Sequence, residues 1–511
     1  MVWGDSMNIK VKNILISIPS IIFFALWAGI IILNIFYSSA NYAAKKSFAF
    51  SNAVLLIFGL VISFCILYIC SFTEDKLKRI NINMLSIILF ALQVFIFYHI
   101  QFMTNSWDAG TICNAAHMIS RGMEETSDWY SFYYSTYPNN QLITLLYAFI
   151  LKAGITDGFF PLVVLQCFLC SLSGKLIFDC IEILTNRRMY ALFGWMLFLI
   201  LLGLSGWNVV PYSDMTGLIF PIAIFRIYLS TRNGEKVFLK WLLIVLLSYA
   251  GYKIKPTVIV SLIAILMAEF IEVCFACDRI GLKTILRKII KYSCISLASI
   301  FICSNILSID FKSTGIKIDS ERYIGALHFV MMGLNSHNNG CYFQDDYELS
   351  VGISTRSERT EVQINLIKQR LKNYGAVGLM KHLAKKTLTN MNDGTFAWEC
   401  EGGFYDVIYE DKDEVISPFL KSIYYSWGSW YPFFSSVEQA TWLIVLLLSG
   451  GIIFARKSKY EFMIILSLVG IVVFHLLFEA RARYLIVYVP YFIIAAVVGI
   501  SKLLAIIRKE L

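Results

Sequence analysis

Four short polar segments, each beside a long apolar run, carry the residue types that could do chemistry. Asp108 stands in Ser106-Trp107-Asp108-Ala109-Gly110, ahead of an aromatic-rich stretch that ends in Tyr137-Pro138-Asn139-Asn140. A carboxylate at a low-dielectric boundary can serve as general base toward a hydroxyl, and Asp108 at the head of Ala-Gly-Thr-Ile can equally start a helix as its cap. Asp214, in Pro211-Tyr212-Ser213-Asp214, opens a later apolar run. Capping, orienting an acceptor, binding a metal and sharing base duty all stay open for it. Lys253 and Lys255, in Gly251-Tyr252-Lys253-Ile254-Lys255-Pro256, supply point charges for a phosphate or snorkel toward headgroups. Arg481 and Arg483, in Glu479-Ala480-Arg481-Ala482-Arg483-Tyr484, offer guanidinium groups suited to bidentate phosphate binding, and Glu479 can pair with one of them.

Weaker signals lie between residues 308 and 436. His328 opens an apolar turn that feeds the polar loop Asn338-Asn339-Gly340 and Asp345-Asp346. No ligand spacing recommends His328, His337 and Asp345 as a metal set, so a structural histidine is the plainer account. A divalent metal is left open and no other cofactor is indicated. Residues 357–390 are basic and amphipathic, with Gly375 and Gly378 expected to divide them into two helices. Such helices either lie in the headgroup plane or pack on their own domain with a solvated basic face. Cys341 and Cys400 share this hydrophilic region, which leaves a disulfide open, while Cys274 and Cys277 without a second pair read as packing residues. No P-loop, GxGxxG or HExxH is present, so nucleotide-driven transport and zincin chemistry lack support.

The elements that must position these residues are membrane helices. The 511 residues are 58% hydrophobic and 15% aromatic, with a mean hydropathy of +0.66, more apolar surface than a soluble chain can cover. Apolar runs at 14–36, 48–71, 82–102, 158–184, 189–206, 212–229, 237–252, 257–275, 289–307, 437–454, 460–478 and 484–504 give an all-α polytopic protein of about twelve (11–13) transmembrane helices. A transmembrane core over 1–308, holding a large first loop at 103–157, precedes an α-rich extracytoplasmic domain over 309–436 and the last helices over 437–511. The apolar stretch 141–151 is half a spanning length and is expected to be juxtamembrane or re-entrant. With a cytoplasmic N-terminus, the basic clusters at 76–79, 187–188, 232–240, 279–291, 456–459 and 508–509 all fall inside, as positive-inside bias requires. Lys45 and Lys46 sit outside and weaken the rule slightly, and Lys253 and Lys255 also run against it. The net charge of +9 then reflects cytoplasmic loops and not nucleic-acid binding. All four polar segments and residues 308–436 fall outside, on what Ile, Lys and Asn usage suggests is a bacterial plasma membrane.

The arrangement resembles the glycosyltransferase C superfamily, in particular the protein O-mannosyltransferase and 4-amino-arabinose lipid A transferase branch and its Gram-positive relatives. The likeness rests on the loop acid Trp107-Asp108-Ala109-Gly110, the Tyr137-Pro138-Asn139-Asn140 element before a hydrophobic helix, the acid in Tyr212-Ser213-Asp214, and the mouth from Glu479 to Tyr484. It departs where the mannosyltransferases pair Asp with Glu and this chain has Asp108-Ala109, and where their Pro-Pro is Pro138-Asn139. The Trp-Trp-Asp of oligosaccharyltransferases has no counterpart in Trp427-Gly428-Ser429-Trp430. The resemblance implies an inverting transferase that moves a sugar from a polyprenyl-phosphate donor to a hydroxyl of an envelope polymer or lipid. It implies Asp108 as base, with Asp214 beside it, and Lys253, Lys255, Arg481 and Arg483 on the donor phosphate. Tyr137, Asn139, Asn140 and His328 are expected to touch substrate. The rivals are a polysaccharide polymerase or ligase and a lipid-linked sugar flippase. A flippase should show charges inside the membrane, of which Lys175 and Asp179 are the clearest and stand one helical turn apart.

Overall fold

Hydrocarbon offers backbone amides no partner, so long apolar runs satisfy their polar groups internally as helices. The computed structural model describes residues 2–37, 48–103, 107–122, 128–154, 158–280, 282–398, 407–455 and 458–507. Cys400 of the candidate Cys341 pair lies outside them, as do Ser106, Lys45, Lys46, Arg456, Lys457, Arg508 and Lys509. The protein is an all-α polytopic membrane protein. Among the described residues, nine helices are long and apolar enough to cross a membrane. Three expected spans take other forms: the shorter apolar helix Arg188–Gly203, the broken pair Ser213–Gly217 and Ile219–Ser230, and the helix Ile259–Ile280.

The last helix, Val489–Ile507, is the hub. Its residues from Val489 to Ser501 are all buried, and it packs against Tyr431–Ser449, Phe160–Thr185 and Arg188–Phe198. A helix apolar on every side needs such a ring of neighbours. Small residues permit the close approach: a Cβ at Gly499 would meet the backbone of Gly451, and one at Gly174 the ring of Phe198. Gln93 ties helices together inside the bundle, donating to the Gly203 carbonyl at 2.7 Å and accepting from Ser171 at 2.7 Å. Phe24, Ile57, Phe64 and Phe301 are exposed outward, as lipid contact requires.

Three departures from regular spans shape one end of the bundle. Gln141–Ala153 is a helix of 13 residues, about 20 Å long and short of the hydrocarbon thickness. It packs on Trp107–Ser120 and Val237–Ile254. Residues 102–103 pair antiparallel with 407–408, which ties the segment before Asp108 to the far side of the large polar region. The helix Arg356–Met391 leaves helical geometry at Gly375, where φ is 57°; this break divides it into the two helices expected, and Gly378 stays helical. This helix packs on Ala326–Gly333 of the large polar region and also on the bundle helices Val2–Phe36 and Lys459–Leu477. Arg370 holds Asp346 with two bonds, at 2.6 and 2.9 Å, and Arg359 donates to the Ser350 carbonyl at 2.7 Å.

Candidate active site

Asp108 is the second residue of the helix Trp107–Ser120. Its oxygens accept from two phenols, Tyr133 at 2.9 Å and Tyr212 at 3.1 Å. Each carboxylate oxygen has two lone pairs, so these bonds orient the group and leave capacity to accept a further proton donor. Asn140 donates to the Tyr133 hydroxyl at 2.7 Å and Asn139 to Asn140 at 2.9 Å, giving a chain of amides and a phenol that ends on Asp108. Burial first, and the Asp108 charge second, push the Tyr133 phenol well above its usual range and keep it a donor. Trp107 just before the acid has φ of 53°, a region costly for a bulky residue and one that clusters at functional sites.

Asp214 lies in a different environment. It is buried in the short helix Ser213–Gly217, where one oxygen meets Lys255 and the other accepts from Arg483 Nη1 at 2.6 Å. Asp214 thereby fixes where the two cations sit. Aromatic faces complete the fixing. The Arg483 guanidinium lies 4.8 Å from the Trp107 ring centroid and 5.2 Å from that of Tyr212, and Lys255 lies 4.2 Å from that of Tyr484. Trp107 and Tyr212 therefore belong to both halves, since Tyr212 also bonds Asp108. Arg481 pairs with Glu479 at 2.7 Å.

Both halves open into one cavity of about 1210 Å³. Asp108, Tyr137, Asn139, Asn140, Lys253, Lys255, His328, Arg481 and Arg483 all line it. Residues 7–503 match the family of conserved hypothetical integral membrane proteins. The chain belongs to that family. No curated protein and no solved structure matches it.

In this family member the expected site residues converge, with one exception. Asp214 does not line the cavity; it stands behind it as the partner of two residues that do. Its sequence position at the head of an apolar run could not separate these roles. His328 lines the cavity while bonding Ser350 at 2.8 Å, and burial lowers its pKa to about 4. Its ring is neutral at physiological pH. His337 instead stacks on Phe343 with centroids 5.4 Å apart. Among the described residues no group of three or more His, Cys, Asp or Glu gathers to hold a metal ion. The sequence reading missed the phenols of Tyr133 and Tyr212, and Trp129, Tyr347 and Tyr484 in the cavity wall. Tyr212 and Tyr484 stood inside the motifs; Tyr133, Trp129 and Tyr347 had no signal beyond aromatic density.

Proposed function

We propose that the cavity transfers a glycosyl group, with inversion, from a polyprenyl-phosphate sugar to an acceptor hydroxyl on the outer face of the plasma membrane. Asp108 takes the hydroxyl proton, the acceptor oxygen bonds the anomeric carbon, and the carbon–oxygen bond to phosphate breaks. The electron pair leaves with the lipid phosphate. Such a leaving group needs charge stabilisation more than protonation, so one base and preorganised cations suffice. The observation that carries this reading is that Asp108 and the Lys255–Arg483 pair line the same cavity while sharing Tyr212 and Trp107 as supports. Lys253 and Arg481 add cations to the lining.

The flippase reading has less behind it. Lys175 and Asp179, the charges expected to mark a transport path, bond each other at 2.7 Å within one helix.

The test is Asp108→Asn in a strain lacking the wild-type protein, with envelope glycans and polyprenyl-phosphate sugars quantified. Decoration is expected to fall by at least about a hundredfold, the usual contribution of a positioned base, with the donor accumulating and protein level in the membrane unchanged. Unaltered decoration overturns the assignment.

A further inference from the structure

The cavity is chemically two-sided. The lining cations come from residues 253–255 and 481–483, whereas the wall running from Trp129 through Tyr133 to Tyr137 contributes no Lys or Arg to it. Trp129 lies on the helix Asp128–Thr136 and is 52% exposed. Its ring tilts 30° from that of Tyr133, with centroids 6.5 Å apart, and Tyr137 follows 5.5 Å beyond Tyr133. Tyr347, from the helix Gln344–Gly352, lines the same cavity. Asp108 and Tyr137 line this cavity together with Tyr347.

Three properties of this wall select an occupant. Ring faces pack well against the axial C–H faces of a pyranose, and phenol and amide groups at the ring edges suit its equatorial hydroxyls. An extended peptide would instead require a row of free backbone partners, and the backbone of the helix Asp128–Thr136 is bonded within the helix. The wall supplies no cation to balance a phosphate-bearing chain, and Asp108, bonded to Tyr133, repels one.

From this we infer that the Trp129–Tyr133–Tyr137 wall, together with Tyr347 of the same cavity, is the acceptor subsite and takes an uncharged saccharide, stacked so that one hydroxyl reaches Asp108. The inference rests on the glycosyl-transfer reading for the role of the bound sugar, but its test needs no donor.

Full-length protein in lipid nanodiscs is titrated by tryptophan fluorescence and calorimetry with cellohexaose, maltohexaose and chitohexaose, then with a glycerol-phosphate hexamer and a Ser/Thr-rich hexapeptide. At least one neutral hexasaccharide is expected to bind. Trp129→Ala and Tyr347→Ala should each weaken it by about tenfold, the scale of one lost aromatic contact, while Trp129→Phe stays close to wild type. Melting curves confirm that the variants fold; the exposure of Trp129 makes its replacement mild. No saccharide binding by about 10 mM, a weak-affinity limit, overturns the subsite. So does binding unaffected by Trp129→Ala, or tighter binding of the phosphate oligomer or the peptide. Unchanged decoration in Asp108→Asn would sink the transfer reading separately.

Discussion

Asp108 and Asp214 are the same chemical group placed in opposite surroundings, and the difference separates their roles. Phenols orient Asp108 at a cavity wall, whereas Asp214 is buried between two cations. Removing one member of a buried ion group leaves uncompensated charge, at about 3–5 kcal/mol. Asp214→Ala should therefore lower the melting temperature sharply, while Asp108→Asn should leave it nearly unchanged and abolish transfer. Equal destabilisation by both would contradict the division. His328 gives a pH-dependent counterpart. Its folded pKa of about 4 lies below the ordinary 6.5, so between these values the unfolded chain binds more protons. Stability should be fully present above pH about 6.5 and fall progressively toward pH 4, by about 3 kcal/mol for this group. Melting curves recorded from pH 7 to 4.5 should show a shallower decline in His328→Gln than in wild type; parallel curves would refute it.

The mouth segment is held by elements from the large polar region as well as by its own helices. Lys386, buried on the helix Arg356–Met391, donates to the carbonyls of Leu476 at 2.9 Å and Phe478 at 2.6 Å. These carbonyls end the helix Lys459–Leu477, where a cation is favoured. Two residues on, Ala480 donates to the Gly340 carbonyl at 2.7 Å. Gly340 has φ of 80° and already abuts the Gly333 carbonyl, so a side chain there would collide. Arg481 and Arg483 follow directly. Lys386→Met should speed amide hydrogen exchange across 477–484 and raise the donor KM more than it lowers kcat; unchanged exchange would show that the mouth holds itself. This dependence was illegible in the sequence, where Lys386 was one of several lysines on an amphipathic helix. Periodicity shows which face of a helix is apolar, but pairing a lysine with carbonyls some ninety residues away depends on how helices cross. The same reason hid the Tyr133 and Tyr212 phenols on Asp108. What was legible were charges at the ends of apolar runs, because hydrocarbon penalises them anywhere else.

At the scale of the molecule, the bundle separates two kinds of polar residue. The helix Val237–Ile254 follows Lys236 and ends at the cavity residues Lys253 and Ile254. The helix Lys459–Leu477 runs the same way, from Lys459 to the cavity residues Phe474 and Phe478. Between them, Ile259–Ile280 starts beside the cavity residue Thr257 and descends until its Glu269 meets Lys459 and the Tyr228 hydroxyl. An 18-residue helix is about 27 Å long, so these basic helix starts stand nearly a hydrocarbon thickness from the cavity. Such segregation is what positive-inside bias produces, and it places the cavity outside if the basic end is cytoplasmic. Ser320→Cys and Glu235→Cys test this, because both positions are exposed and border opposite ends. A membrane-impermeant maleimide applied to intact cells should label Ser320→Cys above the wild-type background, and label Glu235→Cys only after permeabilisation. The reverse pattern would turn the cavity toward the cytoplasm and remove the outer-face acceptor from the proposed reaction. Equal labelling of both before permeabilisation would break the two-ended charge argument itself.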